Sequence, residues 1–187
     1  MAERAAIVTG ASSGIGLAIA DMLGEEGYGL TIAARRPEKL DAAAEGLRAK
    51  GYDVQHIAGN LGDEGTIASV VERHEEKFGR LDVLVNNAGV GIGETIDELT
   101  TKKIDLQLAT NLRSIFLFYR EAMPLLRVAG AEHRNALVVN TASISGIRGE
   151  AWLSVYSATK HGVVGFTQAM NKELASAGVK NTALAPG

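Results

Sequence analysis

Tyr156 and Lys160 are the two residues whose types and spacing most directly suggest chemistry. They lie four residues apart in a segment with helical periodicity, so their side chains share one face of the predicted helix. A free phenol loses its proton at about pH 10, too high for proton exchange in neutral solution. An ammonium about 4 Å away would stabilise a phenolate by ~4 kcal/mol at an effective dielectric constant of roughly 20. The pair therefore predicts a tyrosine that works as a general acid or base, with a core tyrosine and a snorkelling lysine as the structural alternative.

Two polar residues elsewhere in the chain add to this prediction. Ser143 stands just beyond the fifth predicted strand, and Asn111 interrupts an otherwise apolar helix. Together with Tyr156 and Lys160 they are the candidate catalytic residues.

A glycine-rich turn joins the first predicted strand to the first predicted helix. It reads Thr9-Gly10-Ala11-Ser12-Ser13-Gly14-Ile15-Gly16. Glycine permits positive φ and close approach of a ligand, while the unpaired N–H groups and the dipole of the helix favour an anion such as a pyrophosphate. The spacing differs from the common Gly-x-Gly-x-x-Gly fingerprint, so a turn without a ligand is the alternative. The residues from Gly10 to Gly16, apart from Ala11, are candidate cofactor-binding residues.

The end of the second predicted strand carries two cations, Arg35 and Arg36, after Ala34. Arg35 follows Gly16 by 19 residues, close to the ~20-residue offset at which such folds bind the adenosine ribose. An acid at this place would hold the 2′- and 3′-hydroxyls, whereas arginines suit a 2′-phosphate. A charge-assisted contact of roughly 1.5–3 kcal/mol predicts about a 10- to 100-fold preference for NADP over NAD. Alternatively, the arginines solubilise the strand end or favour the acids of the next helix.

Short β-branched segments alternate with longer amphipathic segments along the chain. We interpret the strand candidates as apolar throughout rather than alternating, as expected when helices cover both faces of a sheet. They are residues 5–9, 30–33, 54–58, 81–85, 136–140 and 179–184. The helix candidates are residues 15–26, 37–50, 64–78, 103–129 and 151–177. This alternation predicts an α/β fold with a doubly wound, Rossmann-like parallel sheet in a single domain over residues 1–187.

The composition excludes several other classes of protein. The chain has 187 residues, of which 46% are hydrophobic and 22% charged, so a disordered or fibrous chain is excluded. A net charge of −3 without a basic face argues against a nucleic-acid partner. There is no cysteine, and the four histidines lack ligand spacing, so we expect no metal. No stretch reaches the ~20 apolar residues of a membrane span; we expect a soluble cytoplasmic protein.

Taken together and in order, the motifs resemble those of the short-chain dehydrogenase/reductase family, in the subgroup that includes 3-oxoacyl-carrier-protein reductases. The resemblance covers essentially the whole chain. It rests on the turn from Thr9 to Gly16, Asn86-Asn87-Ala88-Gly89, Asn111 in Thr-Asn-Leu, Ser143, Tyr156-Ser157-Ala158-Thr159-Lys160 and Pro186-Gly187. Ser143 and Tyr156 are 13 residues apart, as in the family.

The resemblance implies a role for each candidate catalytic residue. Tyr156 would protonate a carbonyl oxygen as a hydride arrives from the nicotinamide. Lys160 would promote loss of the phenol proton and bind the nicotinamide ribose. Ser143 would orient and polarise the carbonyl, and Asn111 would hold a water that links Lys160 to solvent.

The resemblance also implies an NADP cofactor, a small-molecule carbonyl or alcohol substrate, and a homodimer or homotetramer. The residues of the family pattern that would contact the cofactor are Asn60, Leu61, Asn87, Ala88, Gly89, Pro186 and Gly187. Trp152, Leu153 and the stretch from Gly91 to Glu94 either line a substrate pocket or simply pack. Family members continue beyond the Pro-Gly pair, so we expect that the C-terminal end of the domain is missing here. If the short form is genuine, a non-catalytic NADP-binding or scaffold module is the alternative.

Overall fold

Six short segments pair into one parallel sheet with helices packed on both faces. The computed structural model describes residues 3–187, apart from the side chain of His133. The strands are β1 (Ala5–Thr9), β2 (Gly29–Ala34), β3 (Val54–Ala58), β4 (Val83–Asn86), β5 (Ala136–Thr141) and β6 (Val179–Leu184). The helices are α1 (Gly14–Glu25), α2 (Pro37–Ala49), α3 (Glu64–Phe78), α4 (Thr101–Leu108), α5 (Ser114–His133) and α6 (Ser154–Glu173).

The strand order is β3-β2-β1-β4-β5-β6, and every neighbouring pair is parallel. The chain therefore builds outward from β1 in one direction and then returns to build outward from β4 in the other. Ligands of such sheets bind at this reversal, outside the carboxyl ends of the two central strands. The predicted α/β, doubly wound parallel sheet is confirmed.

Alternation along the central strand divides the core into two layers. Ala6 and Val8 of β1 face the layer that α1 and α2 cover, whereas Ile7 faces the layer covered by α3, α5 and α6. Side chains of successive strand residues point to opposite faces, so a strand buried on both sides is apolar at every position. This explains the uninterrupted burial of β1, β2 and β4. The expectation of strands that are apolar throughout is wrong for the edge strands β3 and β6, which contain polar residues and are partly exposed.

The predicted strand bounds hold closely, with one displaced start. β1, β3 and β6 occupy the predicted residues, while β4 begins at Val83 instead of residue 81. Asp82 still contacts both neighbouring strands just before β4: its amide donates to the Ala5 carbonyl oxygen at 2.9 Å, its carbonyl oxygen accepts from the Leu137 amide at 2.9 Å, and its Oδ2 accepts from the Ala5 amide at 2.8 Å.

The residues predicted as one helix, 103–129, are helical throughout, but not as one continuous α-helix. A π-helical turn over Ala109–Arg113 separates α4 from α5. The helix predicted over 151–177 is shorter, running from Ser154 to Glu173. Its start is delayed because Trp152 has a φ of 61°, outside the helical range, and beyond its end a short 3₁₀ turn leads to Gly178 at φ 71°. Within residues 3–187, no helix is both long and apolar enough to cross a bilayer.

Close packing at the start of α1 generates a prediction for Gly16. A Cβ atom there would lie 2.5 Å from the Gly10 carbonyl oxygen and from Asn87 Nδ2. Because the backbone carbonyl cannot move away, Gly16→Ala is expected to lower the free energy of unfolding by about 1–3 kcal/mol. Gly46→Ala in α2 is the control, since a Cβ there would meet no heavy atom within 4 Å. The control should raise stability by roughly 0.5–1 kcal/mol; urea unfolding that shows equal effects would contradict this packing.

Candidate active site

One threonine hydroxyl joins the carboxyl ends of the two central strands. Thr9 Oγ1 accepts hydrogen bonds from the backbone amides of Asn87 (2.9 Å) and Ala88 (3.1 Å). The same hydroxyl donates to the Val85 carbonyl oxygen at 3.2 Å. The turn after β4 is therefore fixed against the end of β1, where the predicted glycine turn begins.

Asn87 extends this connection to β5. Its Nδ2 donates to the carbonyl oxygens of Thr9 (3.2 Å) and Gly10 (3.4 Å), and its Oδ1 accepts from Thr141 Oγ1 at 3.2 Å. Gly10 has a φ of 68°, and a Cβ atom there would lie 2.9 Å from Ala88 Cα. Only glycine permits this approach of the two turns.

A first cavity of about 340 Å³ lies on one side of this junction. It is lined by Gly10, Ser12, Ser13, Ala34, Arg35, Arg36, Lys39, Asn60, Leu61, Asn87, Ala88, Gly89, Val90 and Thr110. Arg35, Arg36 and Lys39 are exposed, so their cationic groups face solvent at the edge of the cavity. The sequence analysis missed Lys39, although its position one helical turn after Arg36 could have indicated it.

A second cavity of about 620 Å³ adjoins the first, since both are lined by Asn87, Gly89 and Val90. Its other lining residues are Ile15, Gly91, Thr141, Ala142, Ser143, Ile144, Ser145, Glu150, Leu153, Tyr156, Lys160, Pro186 and Gly187. The two cavities form one cleft across the reversal of strand order. Sequence reasoning did not name Thr141, Ile144 and Glu150 as site residues, although Thr141 and Ile144 belong to the motif Asn-Thr-Ala-Ser-Ile-Ser-Gly around Ser143.

Lys160 is a buried cation in the wall of the second cavity, with 4% of its surface exposed. Its Nζ donates to the Thr141 carbonyl oxygen at 2.6 Å and lies 5.7 Å from the centroid of the Tyr156 ring. Burial lowers the pKa of the ammonium from 10.5 to about 8, so the group is still mostly protonated at neutral pH. An ammonium has three donors, and the described residues provide one acceptor.

Ser143 caps the short 3₁₀ turn Ile144–Gly146 that follows β5. Its Oγ accepts from the Ser145 amide at 3.2 Å, which leaves the hydroxyl hydrogen for another partner. The turn packs directly on α6, because a Cβ atom at Gly146 would lie 2.7 Å from the Lys160 carbonyl oxygen. Ser143 therefore lines the same cavity as Tyr156 and Lys160.

Asn111 occupies the π-helical turn and is completely buried. Its Oδ1 accepts from the Val90 amide at 2.7 Å, and its Nδ2 donates to the Val90 carbonyl oxygen (2.8 Å) and to Thr159 Oγ1 (3.2 Å). The side chain thus holds the loop after β4 and does not line either cavity. Its predicted water-holding role stays a prediction.

Most of the other predicted site residues line the cleft. Gly14 and Gly16 do not, since Gly16 packs beneath the turn and Gly14, at φ 58°, lies at the start of α1. Of the residues predicted to line a substrate pocket or to pack, Gly91 and Leu153 line the second cavity. Trp152 is exposed, and Ile92, Gly93 and Glu94 line neither cavity. Among the described side chains, no group of three or more His, Asp or Glu residues could hold a metal ion.

The cleft fits a nicotinamide dinucleotide. The side chain of the N-cap residue Ser13 makes no capping hydrogen bond, so the first amides of α1 remain available to an anion. The three cations lie at one end of the cleft and the pair Tyr156 and Lys160 at the other. This arrangement places the cationic end and the end with Tyr156 and Lys160 on opposite sides of the junction at Thr9.

Comparison with known proteins gives consistent matches over almost all of the chain. A protein-family model described as short chain dehydrogenase matches residues 4–187. The 3-oxoacyl-acyl-carrier-protein reductase FabG of Staphylococcus aureus is 37% identical over 185 residues, which are 98% of this chain and 74% of that protein.

Two solved structures extend the comparison to the fold. A crystal structure of a variant of actinorhodin polyketide ketoreductase with NADPH matches with a TM-score of 0.91 and 38% identity, covering 100% of this chain and 72% of that chain. A short chain dehydrogenase/reductase from Burkholderia phymatum, in complex with NAD, matches with a TM-score of 0.92 and 28% identity, covering 98% of this chain and 65% of that chain.

The buried ammonium of Lys160 generates a prediction about stability and pH. Between pH 8 and 10.5 the unfolded chain binds more protons at this lysine than the folded chain does, because burial lowers the pKa in the folded state. Relative to Lys160→Met, the free energy of unfolding of the parent protein should therefore rise with pH across this window, by up to about 3 kcal/mol. Lys172→Met, exposed on the same helix, is the control. Unfolding curves for Lys160→Met that run parallel to the parent at every pH would refute the assignment.

Proposed function

Because the chain belongs to the short-chain dehydrogenase family of oxidoreductases, we propose that it transfers a hydride between NADP(H) and a carbonyl or secondary-alcohol substrate. Tyr156, Lys160, Ser143 and Asn111 form the proposed catalytic group. The observation that carries this proposal is the Lys160 ammonium, which is buried beside the Tyr156 ring in the wall of the cleft and has donors left for a ligand.

The proposed cofactor would lie along the whole cleft. The amides at the start of α1 would bind its diphosphate, and Asn60 and Leu61 would contact the adenine. Pro186 and Gly187 line the cavity that would take the nicotinamide. When bound, the nicotinamide supplies or accepts the hydride.

The choice of NADP over NAD rests on this chain's own cations. The matched actinorhodin ketoreductase structure contains NADPH, whereas the matched Burkholderia phymatum structure contains NAD. In the present chain Arg35, Arg36 and Lys39 line the end of the cleft that would take the adenosine ribose. These groups attract a 2′-phosphate through charge-assisted hydrogen bonds.

In the direction of reduction, the Tyr156 hydroxyl donates its proton to the carbonyl oxygen while the carbonyl carbon gains the hydride. The Lys160 ammonium stabilises the phenolate that remains, and its effect is strengthened because burial reduces screening by water. The Ser143 hydroxyl donates a hydrogen bond to the same carbonyl oxygen and so stabilises the charge that develops there. Asn111 holds Val90 and hence the wall of the cleft. Lys160 would return a proton to the Tyr156 phenolate, and a water beside Asn111 would then resupply Lys160 with a proton from solvent.

The residues that line the second cavity also restrict the chemical class of substrate that it could take. Its apolar lining includes Ile15, Val90, Ile144 and Leu153, and the carboxylate of Glu150 adds a negative charge. The similarity to a 3-oxoacyl-acyl-carrier-protein reductase makes a β-keto thioester the first substrate class to test, followed by ketosteroids, sugars and quinones.

We also propose a homodimer or homotetramer. Leu108, Phe116 and Val128 on α4 and α5 are 41%, 40% and 67% exposed. Apolar side chains on the outer surface of these helices are suited to packing against a second copy.

Tyr156→Phe tests the proposed acid. The variant keeps the ring but loses the proton, so ketone-dependent oxidation of NADPH should fall by at least ~100-fold, while the dissociation constant for NADPH should change little. NADPH absorbance and fluorescence measure the two quantities. Tyr28→Phe is the matched control and should retain activity. Tyr28 precedes β2, at the amino ends of the strands and away from the cleft, where its hydroxyl accepts a hydrogen bond from Arg4. Turnover preserved in Tyr156→Phe would refute the role, and tight binding without turnover in the parent would favour the scaffold alternative.

Arg35→Ala tests the preference for NADP. Loss of one charge-assisted contact should weaken NADPH binding by about 10- to 100-fold and leave NADH binding nearly unchanged. Arg127→Ala, exposed on α5, is the control. If the ratio of the two affinities is the same in Arg35→Ala as in the parent, the 2′-phosphate site is assigned wrongly.

A further inference from the structure

Three helical side chains hold alternate residues of the loop after β4. We define the cleft segment as residues 90–94. Asn111 binds both backbone groups of Val90, Gln107 Oε1 accepts from the Ile92 amide at 3.2 Å, and the Lys103 ammonium pairs with the Glu94 carboxylate. The helical residues are spaced by four, which corresponds to a rise of about 6 Å. Two residues of extended chain span about 6.6 Å, so the two repeats match.

The central contact of this series is made by a buried amide. Gln107 is fully buried, whereas most of its neighbours in α4 are exposed or half-buried. Burying an amide is unfavourable unless it forms hydrogen bonds. Gln107 Oε1 binds the Ile92 amide, and its Nε2 donates to the Lys103 carbonyl oxygen at 3.4 Å. The oxygen of the buried Gln107 amide therefore binds the cleft segment.

The cleft segment in turn borders Tyr156. A Cβ atom at Gly91 would lie 3.6 Å from Cδ2 and Cε2 of the Tyr156 ring. At the far end, the Glu94 amide donates to the Trp152 carbonyl oxygen at 2.8 Å. Trp152 has the left-handed φ of 61°, a conformation that a bulky residue adopts only when its surroundings enforce it. The segment is thus held between α4 and the start of the helix that carries Tyr156.

We propose that Gln107 and Lys103 are positioning residues that hold the cleft segment against the Tyr156 ring and so set the width of the substrate cavity. This inference rests on the proposed reductase function for its catalytic consequence, but its structural part does not. Within the cleft segment, Gly91 lines the second cavity but not the first, Val90 lines both, and Ile92 and Glu94 line neither. Ile92 and Glu94 therefore act on the substrate cavity through Gly91, the residue beside the Tyr156 ring. Loosening the segment should therefore affect the carbonyl substrate and not the adenosine end of the cofactor.

Amide hydrogen exchange tests the structural part without turnover. Gln107→Met keeps the length of the side chain and removes the acceptor, so exchange at Ile92 should accelerate about tenfold, the equivalent of one lost hydrogen bond. Gln168→Met, exposed on α6, is the control and should leave Ile92 unchanged. Lys103→Met should accelerate exchange at the Glu94 end, whereas Lys102→Met, the exposed neighbour, should not. Lys103 is only half-buried, so its substitution should be tolerated. If Gln107→Met fails to fold, the comparison of Lys103→Met with Lys102→Met still tests whether α4 holds the cleft segment.

Steady-state kinetics of the same variants test the catalytic part. Gln107→Met should raise the KM for the ketone or lower kcat, reducing kcat/KM about fivefold to tenfold, while the dissociation constant for NADPH stays within about twofold. A purely structural role would lower the melting temperature and leave kcat/KM unchanged well below it. Unchanged exchange at Ile92 overturns the positioning role, and so does faster exchange with unchanged kcat/KM. If the parent protein reduces no ketone, the proposed function fails, while the exchange data still decide whether Gln107 holds the segment.

Discussion

A charged amine loses its hydration when it is buried, and the fold must supply partners that keep it charged. In this protein that amine is Lys160, whose ammonium binds the Thr141 carbonyl oxygen at 2.6 Å and has a pKa lowered to about 8 by burial. The cost of burial is large, yet one protein acceptor leaves two donors for other partners. A structural lysine would not need to be placed in the wall of a cavity with its ammonium near a tyrosine ring. The chemistry proposed for the cleft depends on this one interaction.

The framework around Lys160 explains how its charge and the distant cations Arg35, Arg36 and Lys39 come to lie in one cleft. The Thr9 hydroxyl and the Asn87 amide join the ends of β1, β4 and β5. These hydrogen bonds hold the glycine turn and Thr141 close together at the base of the cleft. Gly146 then brings the turn that carries Ser143 into contact with α6. Each close approach uses a residue with little or no side chain, and this explains why glycines cluster around the site.

The sequence predicts the sheet and most of the cleft because those features are repeated or local. Apolar strands covered on both faces, a glycine turn, and a tyrosine and lysine one helical turn apart all leave visible patterns. The π-helical turn at Asn111 does not, since a single-turn bulge barely disturbs the apolar periodicity. The contact made by Gln107 could not be predicted from the sequence for a different reason. Its partner is the backbone amide of Ile92, and backbone groups are the same at every position. The left-handed conformation of Trp152 is likewise unexpected, because such a φ is anticipated at glycine.

The ionisation of Lys160 in the presence and absence of the cofactor tests the central claim most directly. In protein labelled with ¹³C at lysine Cε, the Lys160 signal is identified by its loss in Lys160→Met. The account predicts that this signal titrates near pH 8 and shifts when NADPH is added to saturation. A signal that titrates near the ordinary lysine value of 10.5, or one that NADPH leaves unchanged, would contradict the assignment of Lys160 as the buried cation of a cofactor-binding catalytic cleft.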